Sequence, residues 1–277
     1  MARKTKASVY AKYGIEFKND KIRSPFGTWI PELLTYGTNS KVGDAATSSI
    51  YHGNETLKIA DFGEKTQSVM NDANVTEIKG SCECHCEHCY CDNGFYKCDS
   101  TKAANMLKLI LARMYPDFFE NAIKAQIEYY GYTQVRIHAC GDFFNETYVN
   151  VWKRIVLAFP ETVFWTYTKV GFALAALHGI PNLKVVPSRT PYGFNFGTCA
   201  ELLYRYRKLT EDGYKVHICA CGTDFEKHCS ECNTGCKAIG ETVDFVLFIM
   251  HSTPEYDATK DPLFSEVVAI IANQDNE

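Results

Sequence analysis

Hydrophobic and polar positions change their period along the chain, and the changes predict alternating strands and helices from residue 75 onward. Short runs of β-branched and aromatic residues are typical of strands, whereas apolar residues three and four positions apart are typical of amphipathic helices. Six strands are predicted, at residues 75–79, 133–139, 163–168, 183–187, 214–220 and 243–250. Helices are predicted between most of them, at residues 101–111, 117–130, 146–159, 172–178 and 199–208.

Capping residues define the ends of two of these helices. Gly131 follows the helix of residues 117–130, and glycine commonly ends a helix because it tolerates a left-handed conformation. Asn145 precedes the helix of residues 146–159, and an asparagine side chain can accept a hydrogen bond from the first turn. Pro160 then prevents that helix from continuing.

The alternation predicts an α/β fold. Strands that alternate with helices are usually parallel and joined by right-handed crossovers, so we expect a partial (β/α)6 TIM-like barrel over residues 75–250. Residues 1–74 are interpreted as an N-terminal extension and residues 251–277 as a C-terminal helical tail. In such barrels the chemistry lies at the C-terminal ends of the strands.

Composition narrows the class of protein. The chain has 277 residues, of which 46% are hydrophobic and 22% charged, as in ordinary globular proteins. Its net charge of -4 does not indicate nucleic-acid binding. No apolar run reaches the roughly 20 residues of a membrane span, and the basic N-terminus lacks the apolar segment of a secretory signal. We therefore expect a cytoplasmic protein, in which 13 cysteines indicate metal ligands before disulfides.

The cysteines are concentrated first in residues 81–98, which read SCECHCEHCYCDNGFYKC and follow the first predicted strand. Cys82, Cys86 and Cys89 have a CX3CX2C spacing that suits three irons of a [4Fe–4S] cluster. Because only three cysteines fit this spacing, the fourth iron would be open to a small molecule. Cys84, Cys91, His85 and His88 leave a four-coordinate zinc site as the main alternative.

A second group of cysteines follows the strand of residues 214–220. Its members are Cys219, Cys221, Cys229, Cys232 and Cys236. Four of these thiolates would close a second, structural or electron-relaying cluster. A zinc site is the alternative. A third interpretation is that some of them complete the first cluster.

The region from about residue 75 to residue 250 resembles the radical S-adenosylmethionine (SAM) superfamily, in which a three-cysteine loop follows the first strand. The resemblance implies that Gly141 and Asp142 hold the SAM amino group and that Ser188 and Arg189 meet its ribose or carboxylate. This sequence has Asp142 where a glutamate is usual and Cys140 where a glycine is usual. His138, just before this turn, is either a cofactor-binding residue or a core histidine.

The chain is also similar to a phage- and plasmid-associated family known as gene product 88. The similarity spans about residues 38–237. It rests on residues 39–43, the loop ending at Cys89–Tyr90, residues 136–138 and 141–143, Tyr148, Trp152, residues 164–169 and the second group of cysteines, called the late cysteines below. It implies an iron–sulfur protein with a radical-SAM-like barrel, but no known reaction.

Three functions follow as expectations. The first is an enzyme that binds one or two [4Fe–4S] clusters and cleaves SAM reductively, with flavodoxin or ferredoxin as electron donor. The second is an iron–sulfur protein without enzymatic activity, which acts in electron transfer, redox sensing or phage regulation. The third is a structural zinc protein. The sequence identifies no substrate.

Overall fold

The computed structural model describes residues 5–36, 44–83, 89–92, 94–219, 236, 238–249 and 256–274. The helices in these residues are α1 (Lys6–Lys12), α2 (Glu64–Asp72), α3 (Asp99–Met114), α4 (Pro116–Tyr130), α5 (Glu146–Ala158), α6 (Gly171–Leu177), α7 (Cys199–Glu211) and α8 (Phe264–Gln274). The strands are β1 (Phe17–Lys18), β2 (Lys21–Arg23), β3 (Trp29–Ile30), β4 (Thr35–Tyr36), β5 (Ala46–Thr47), β6 (Thr56–Lys58), β7 (Glu77–Lys79), β8 (Gln134–Ile137), β9 (Val163–Thr168), β10 (Leu183–Pro187), β11 (Arg189–Thr190), β12 (Gly193–Phe194), β13 (Phe196–Gly197), β14 (Val216–Ile218) and β15 (Phe245–Ile249). Short 3-10 turns lie at residues 59–61, 90–92, 94–97 and 258–260.

The chain divides into two compact units. The first contains residues 1–36, 46–164 and 170–182, and the second contains residues 37–45, 165–169 and 183–277. Residues 46–74, predicted to be part of an N-terminal extension, thus belong to the first unit together with residues 75–83, the predicted first strand and the start of the cysteine loop. Among the helices of the described residues, none has the length and apolarity needed to cross a membrane.

The core of the first unit is built on four successive helices. Helix α3 packs against α2 and α4, and α4 packs against α5. Phe119 of α4 and Trp152 of α5 are both fully buried, with ring centroids 6.1 Å apart in an edge-to-face arrangement. Burying each such ring stabilises the fold by about 1.5–3 kcal/mol. The predicted caps are present, since Gly131 adopts a left-handed conformation and the side chain of Asn145 accepts a hydrogen bond from the amide of Tyr148.

A parallel strand pair directs two chain segments to the same place. Strand β5 pairs in parallel with β8, with Ala46 opposite Val135, while β4 pairs with β5 in the antiparallel sense. The pairing continues beyond both strands, because the Ala139 amide donates to the Ser48 carbonyl at 2.8 Å. The Ile50 amide likewise donates to the Cys140 carbonyl at 3.0 Å. The segments that follow β5 and β8 therefore emerge side by side.

The strand before the first cysteine loop differs from its prediction. Strand β7 pairs with β6 in an antiparallel hairpin in which Leu57 lies opposite Ile78, whereas the alternation of strands and helices predicted a parallel strand here. Its partner comes from residues 56–58, whose three-residue strand has too few positions to show a period in the sequence. The partial barrel remains a prediction.

The second unit has its own parallel pairs. Strand β15 pairs in parallel with both β13 and β14, and the Ser188 amide donates to the Thr168 carbonyl beside β10. Helix α7 packs on β15, and α8 packs on β14. Its main apolar cluster includes Leu202, Leu209, Ile218, Leu247 and Val267. The second unit therefore has an independent core.

Candidate metal centre

Three segments of the first unit converge where β5, β7 and β8 end. The hydroxyl of Ser81 donates to the Tyr51 carbonyl at 2.7 Å and accepts from the Asp142 amide at 3.3 Å. The amide of Cys82 donates to the Gly53 carbonyl at 2.8 Å. Ser81 thus joins the segment after β5, the start of the cysteine loop and the turn after β8.

Glycine is required at the turn after β8. Gly141 has φ +84°, and a Cβ atom there would lie 2.5 Å from Ile50 Cγ1 and 2.7 Å from Ser81 Oγ. Those distances are shorter than van der Waals contact permits, so only glycine allows this close approach. The approach of the turn to Ile50 and Ser81 is what carries Cys140 toward the cysteine loop.

Thiols and an imidazole meet at this junction. The potential ligand atoms of His52, Cys91 and Cys140 all lie within 4.8 Å of one another. The Sγ atom of Cys140 is 3.5 Å from His52 Nδ1, and the thiol of Cys91 lies beside the thiols of both Cys140 and Cys89. Cys91 and Cys140 are buried, with 3% and 1% of their surface exposed. Two sulfur atoms and one ring nitrogen therefore form a compact cluster, and the Cys89 sulfur lies beside it.

The other nitrogen of His52 is held by a carboxylate. His52 Nε2 lies 2.8 Å from Asp92 Oδ1, so in the neutral tautomer that satisfies this contact Nε2 carries the proton and Nδ1 keeps its lone pair. A carboxylate that accepts from the non-ligating nitrogen is typical of metal-bound histidines. The His52 ring also stacks on Tyr51, with centroids 5.0 Å apart. Its orientation is thus fixed from two sides.

Crowding and burial oppose the ionisation of two of these thiols, those of Cys89 and Cys91. The contact with the Cys91 thiol, together with burial, raises the pKa of the Cys89 thiol well above its ordinary value. Burial and the hydrogen bond to Cys140 likewise raise the pKa of the Cys91 thiol. Neighbouring thiolates repel one another, and a metal ion removes that repulsion because it binds the deprotonated sulfur. Binding of a metal ion here would therefore be coupled to the release of protons from these thiols.

A buried lysine lies beside the same cluster. Lys108 of α3 is 7% exposed and has no carboxylate partner among the described residues. Burial lowers the pKa of Lys108 to about 8, and the electrostatic attraction of the Cys140 sulfur opposes that shift. Burying an ammonium group without a charged partner is energetically costly. The negative charge of a thiolate-rich metal centre beside Lys108 would offset that cost.

The donor set fits a thiophilic metal. In a tetrahedral zinc site, Zn–S distances of about 2.3 Å place neighbouring ligand atoms about 3.8 Å apart. The 3.5 Å between His52 Nδ1 and Cys140 Sγ, and the 4.8 Å limit for the group, agree with that geometry. Cysteine thiolates are equally the usual ligands of iron–sulfur clusters, in which each binds a different iron. The residues present therefore fit either kind of centre.

The CX3CX2C ligands are only partly described. Cys82 and Cys89 are described, but Cys86 lies outside the described residues, as do Cys84, His85 and His88. Cys89 belongs to a second group of ligand atoms within 4.8 Å, with His52 and Asp92. Within the described ranges, Cys82 belongs to neither of these groups. The three-cysteine set thus stays a prediction, and Cys89 is the member that reaches the cluster.

The residues predicted to bind SAM in the first unit are close to the centre in sequence but engaged locally. Asp142 is 5% exposed, and its Oδ1 accepts a hydrogen bond from the Phe143 amide at 2.8 Å. His138 is 3% exposed, and its Nε2 is 2.9 Å from the Tyr148 hydroxyl. Burial lowers the pKa of His138 to about 3, so the ring is neutral. His138 also has φ +58°, an uncommon conformation for a residue other than glycine.

The other predicted SAM ligands belong to the second unit. Ser188 is 8% exposed, and its carbonyl accepts from the Asn195 amide at 3.1 Å. Arg189 is exposed, and its guanidinium carbon lies 4.8 Å from the centroid of the Phe194 ring. Both residues make their contacts within or next to the β11–β12 hairpin, in which Arg189 lies opposite Phe194.

The late cysteines are represented by two residues. Cys219 and Cys236 both pack on an apolar cluster that contains Val186 and Val246, and the Cys236 sulfur is 3.0 Å from the Tyr167 hydroxyl. The other three predicted ligands, Cys221, Cys229 and Cys232, lie outside the described residues. The second site therefore remains a prediction, and two of its proposed ligands, Cys219 and Cys236, pack against the same apolar cluster.

Sequence reasoning missed His52, Asp92, Cys140 and Lys108 as parts of the centre. A signal existed for Cys140, since a cysteine directly after a strand and before a glycine-containing turn is placed for binding. No pattern indicated His52, because the two-residue strand β5 that positions it is too short to recognise.

Comparison with known proteins identifies relatives from bacteriophages. The chain is 36% identical over 84 residues to a protein named Gene 88 protein of Mycobacterium phage D29, covering 30% of this chain and 33% of that protein. It is 43% identical over 58 residues to the Gene 88 protein of Mycobacterium phage L5, covering 20% of this chain and 24% of that protein. The chain thus matches about a third or less of the length of these curated relatives. No solved structure matches it.

A family profile gives broader coverage. The profile described as Gene product 88 matches residues 46–193, from the first residue of β5 to the β11–β12 hairpin. That range contains all the ligand candidates of the centre, namely His52, Cys89, Cys91 and Cys140. Because the match extends over more than half of the chain, this protein belongs to the gene product 88 family.

Proposed function

We propose that this chain is an iron–sulfur protein whose first cysteine loop, together with the segments after β5 and β8, holds the cluster. The observation that supports this proposal is the meeting of Cys89 and Cys91 with Cys140 and His52, which come from three separate segments. Convergence of thiols on one imidazole adds little to packing alone, whereas these side chains would supply ligands for a metal.

The cluster would serve electron transfer, redox sensing or phage regulation without catalysis, unless one iron is open. Reductive cleavage of SAM is the reaction that the radical SAM resemblance implies. It would require a vacant iron coordination position and a carboxylate near the SAM ammonium, for which Asp142 is the candidate. An electron donor such as flavodoxin or ferredoxin would then be a partner. The second group, Cys219 to Cys236, would hold a further cluster.

Zinc is the second candidate, and the compactness of the group favours it. The ligand atoms of His52, Cys91 and Cys140 lie within 4.8 Å of one another, which suits a single tetrahedral ion. With Cys89 as a fourth ligand, the set would be three sulfurs and one nitrogen, a common structural zinc set. In that case the metal would stabilise the fold and supply no redox chemistry.

The test is anaerobic purification followed by iron, sulfide and zinc analysis and an absorption spectrum. Iron and acid-labile sulfide in equal amounts, with broad visible absorption that bleaches on reduction, are the expected result. A colourless protein with one zinc per chain would replace the iron–sulfur proposal by the zinc one. A chain that retains neither metal, even after reconstitution with iron and sulfide or with zinc, would overturn both.

A further inference from the structure

We propose that the first metal centre is closed by four protein ligands, His52 Nδ1 and the thiolates of Cys89, Cys91 and Cys140, with Asp92 as the acceptor that orients His52. This inference rests on the proposed function, in that the chain binds a thiophilic metal, either an iron–sulfur cluster or zinc. It replaces the three-cysteine set with one drawn from three segments.

Geometry supports three of these ligands together. The ligand atoms of His52, Cys91 and Cys140 lie within 4.8 Å of one another, and Cys140 comes within 3.5 Å of His52 Nδ1. Cys91 and Cys140 are buried, so their sulfurs face the protein interior and each other, not solvent. Exposed cysteines give no such convergence; Cys98, in the same loop, is exposed.

The fourth ligand follows from the contacts of Cys89. Its thiol lies next to that of Cys91, and it forms a second compact group with His52 and Asp92. Cys89 therefore adjoins both the imidazole and the sulfur cluster. The backbone supports this position, since the Asp92 amide donates to the Cys89 carbonyl at 3.0 Å.

Asp92 defines the role of His52. Its carboxylate takes the Nε2 side of the ring at 2.8 Å, so that Nδ1 is the nitrogen available to a metal on the side of Cys91 and Cys140. The Asp92 side chain is 56% exposed and the His52 side chain 13% exposed. Asp92 can therefore be altered without disturbing the core, and loss of such an acceptor typically lowers metal affinity 10–100-fold, as an order of magnitude.

The first experiment compares cysteine variants at equal protein concentration after anaerobic reconstitution, once with iron and sulfide and once with zinc. Cys91→Ser and Cys140→Ser should each lose the metal, while Cys82→Ser and Cys86→Ser should retain it. The opposite pattern, with metal lost on changing Cys82 or Cys86 and kept on changing Cys91 and Cys140, would overturn the closed set and leave the proposed function standing. No metal in the unaltered protein under either condition would instead remove the proposed function.

The second experiment changes an exposed residue, so that the packing of the core is not disturbed. Asp92→Asn should lower metal affinity at least about tenfold in a competition with a chelator, while the circular dichroism of the metal-free protein stays unchanged. The matched control is Asp72→Asn, an exposed carboxylate at the end of α2. Equal affinities for the two variants would contradict the orientation of His52 by Asp92.

A closed centre also has a chemical consequence. With four protein ligands on the cluster, no iron is left for the amino and carboxylate groups of SAM. Reduced protein incubated with SAM should therefore release no 5′-deoxyadenosine, and the EPR spectrum of its cluster should not change. Formation of 5′-deoxyadenosine would overturn the closed set while supporting the iron–sulfur proposal.

Discussion

The Sγ atom of Cys140 lies 3.5 Å from Nδ1 of His52, although 88 positions separate the two residues in sequence. If both bind one metal, their contributions must be coupled. We therefore expect His52→Ala and Cys140→Ala to lower metal affinity in a non-additive way, with the double variant little weaker than the weaker single variant. Chelator competition on all four proteins measures this coupling. Losses that simply add would indicate that the two residues serve different sites.

The close packing of Gly141 against Ile50 and Ser81, in the turn after β8, leads to a second prediction. Gly141→Ala should lower the free energy of unfolding by about 2–4 kcal/mol, because the new Cβ would meet Ile50 and Ser81 in a left-handed backbone conformation. Gly131→Ala is the matched control, since Gly131 is also left-handed but has open space around its Cβ position. That variant should lose only about 1 kcal/mol. Chemical denaturation of both metal-free variants provides the comparison, and equal losses would argue against the close packing.

Lys108 should favour the charged form of the centre. Lys108→Met removes a buried ammonium beside Cys140, so metal affinity at pH 7 should fall by roughly threefold to thirtyfold. The metal-free protein should be no less stable, because a buried cation without a carboxylate partner has been replaced by an apolar side chain of similar length. Lys102→Met, on the same helix, is the control. Unchanged affinity in Lys108→Met would show that the ammonium does not act on the thiolates.

A buried carboxylate in the helical core determines part of the acid stability. Glu120 of α4 accepts two hydrogen bonds from Arg154, at 2.6 and 2.8 Å, and one from Lys124 at 2.6 Å. Burial works against its ionisation, but Arg154 and Lys124 hold the pKa of Glu120 below its ordinary value. The stabilisation is therefore complete above the ordinary glutamate pKa and is lost as the pH falls through the lowered value.

Glu120→Gln should consequently reduce stability at pH 7 by about 1–3 kcal/mol and flatten the dependence of the unfolding free energy on pH below 5. Glu161→Gln, at an exposed position, should change neither quantity. Thermal and denaturant unfolding between pH 3 and pH 7 gives the comparison. A Glu120→Gln variant that keeps the full acid sensitivity of the parent protein would refute the assignment.

Tyr167 offers a test of the late cysteines. Its hydroxyl lies 3.0 Å from the Cys236 sulfur, and hydrogen bonds to ligating sulfurs alter the potential and the charge-transfer absorption of a metal centre. Tyr167→Phe should shift the spectrum of a metal bound by these cysteines and leave the first centre unaltered. Tyr204→Phe, an exposed tyrosine of the same unit, should have no effect. Absence of any shift in a protein with both sites loaded would separate Tyr167 from the second site.

Periodicity predicted the long elements and failed for the short ones. Helices such as α3 and α5 have enough turns to show an apolar face, and their observed bounds lie within three residues of the predicted ones. Strands β5 and β6 have two and three residues, too few to show an alternation. Both came from the region interpreted as an extension, so the parallel β5–β8 pair and the antiparallel β6–β7 hairpin were not foreseen.

The sequence predicted the residue types of the candidate site but not most of its members. The density of cysteines in residues 81–98 indicated a metal, and Cys89 is part of the observed group. The spacing of a motif reports only ligands that are neighbours in sequence, however. His52 and Cys140 join the group because β5 and β8 run in parallel and end together, and a tertiary pairing of this kind leaves no trace in local spacing.

A metal bound at these residues would act as a cross-link between distant points of the chain. It would tie together the segment at His52, the loop at Cys89 and Cys91, and the turn at Cys140, and so close two long stretches that include α2, α3 and α4. Closing such loops removes conformations from the unfolded chain, as a disulfide does, but reversibly and according to metal supply. Removal of the metal should therefore speed the unfolding of the first unit as a whole, and nascent chains that lack the metal would be the form most accessible to proteases.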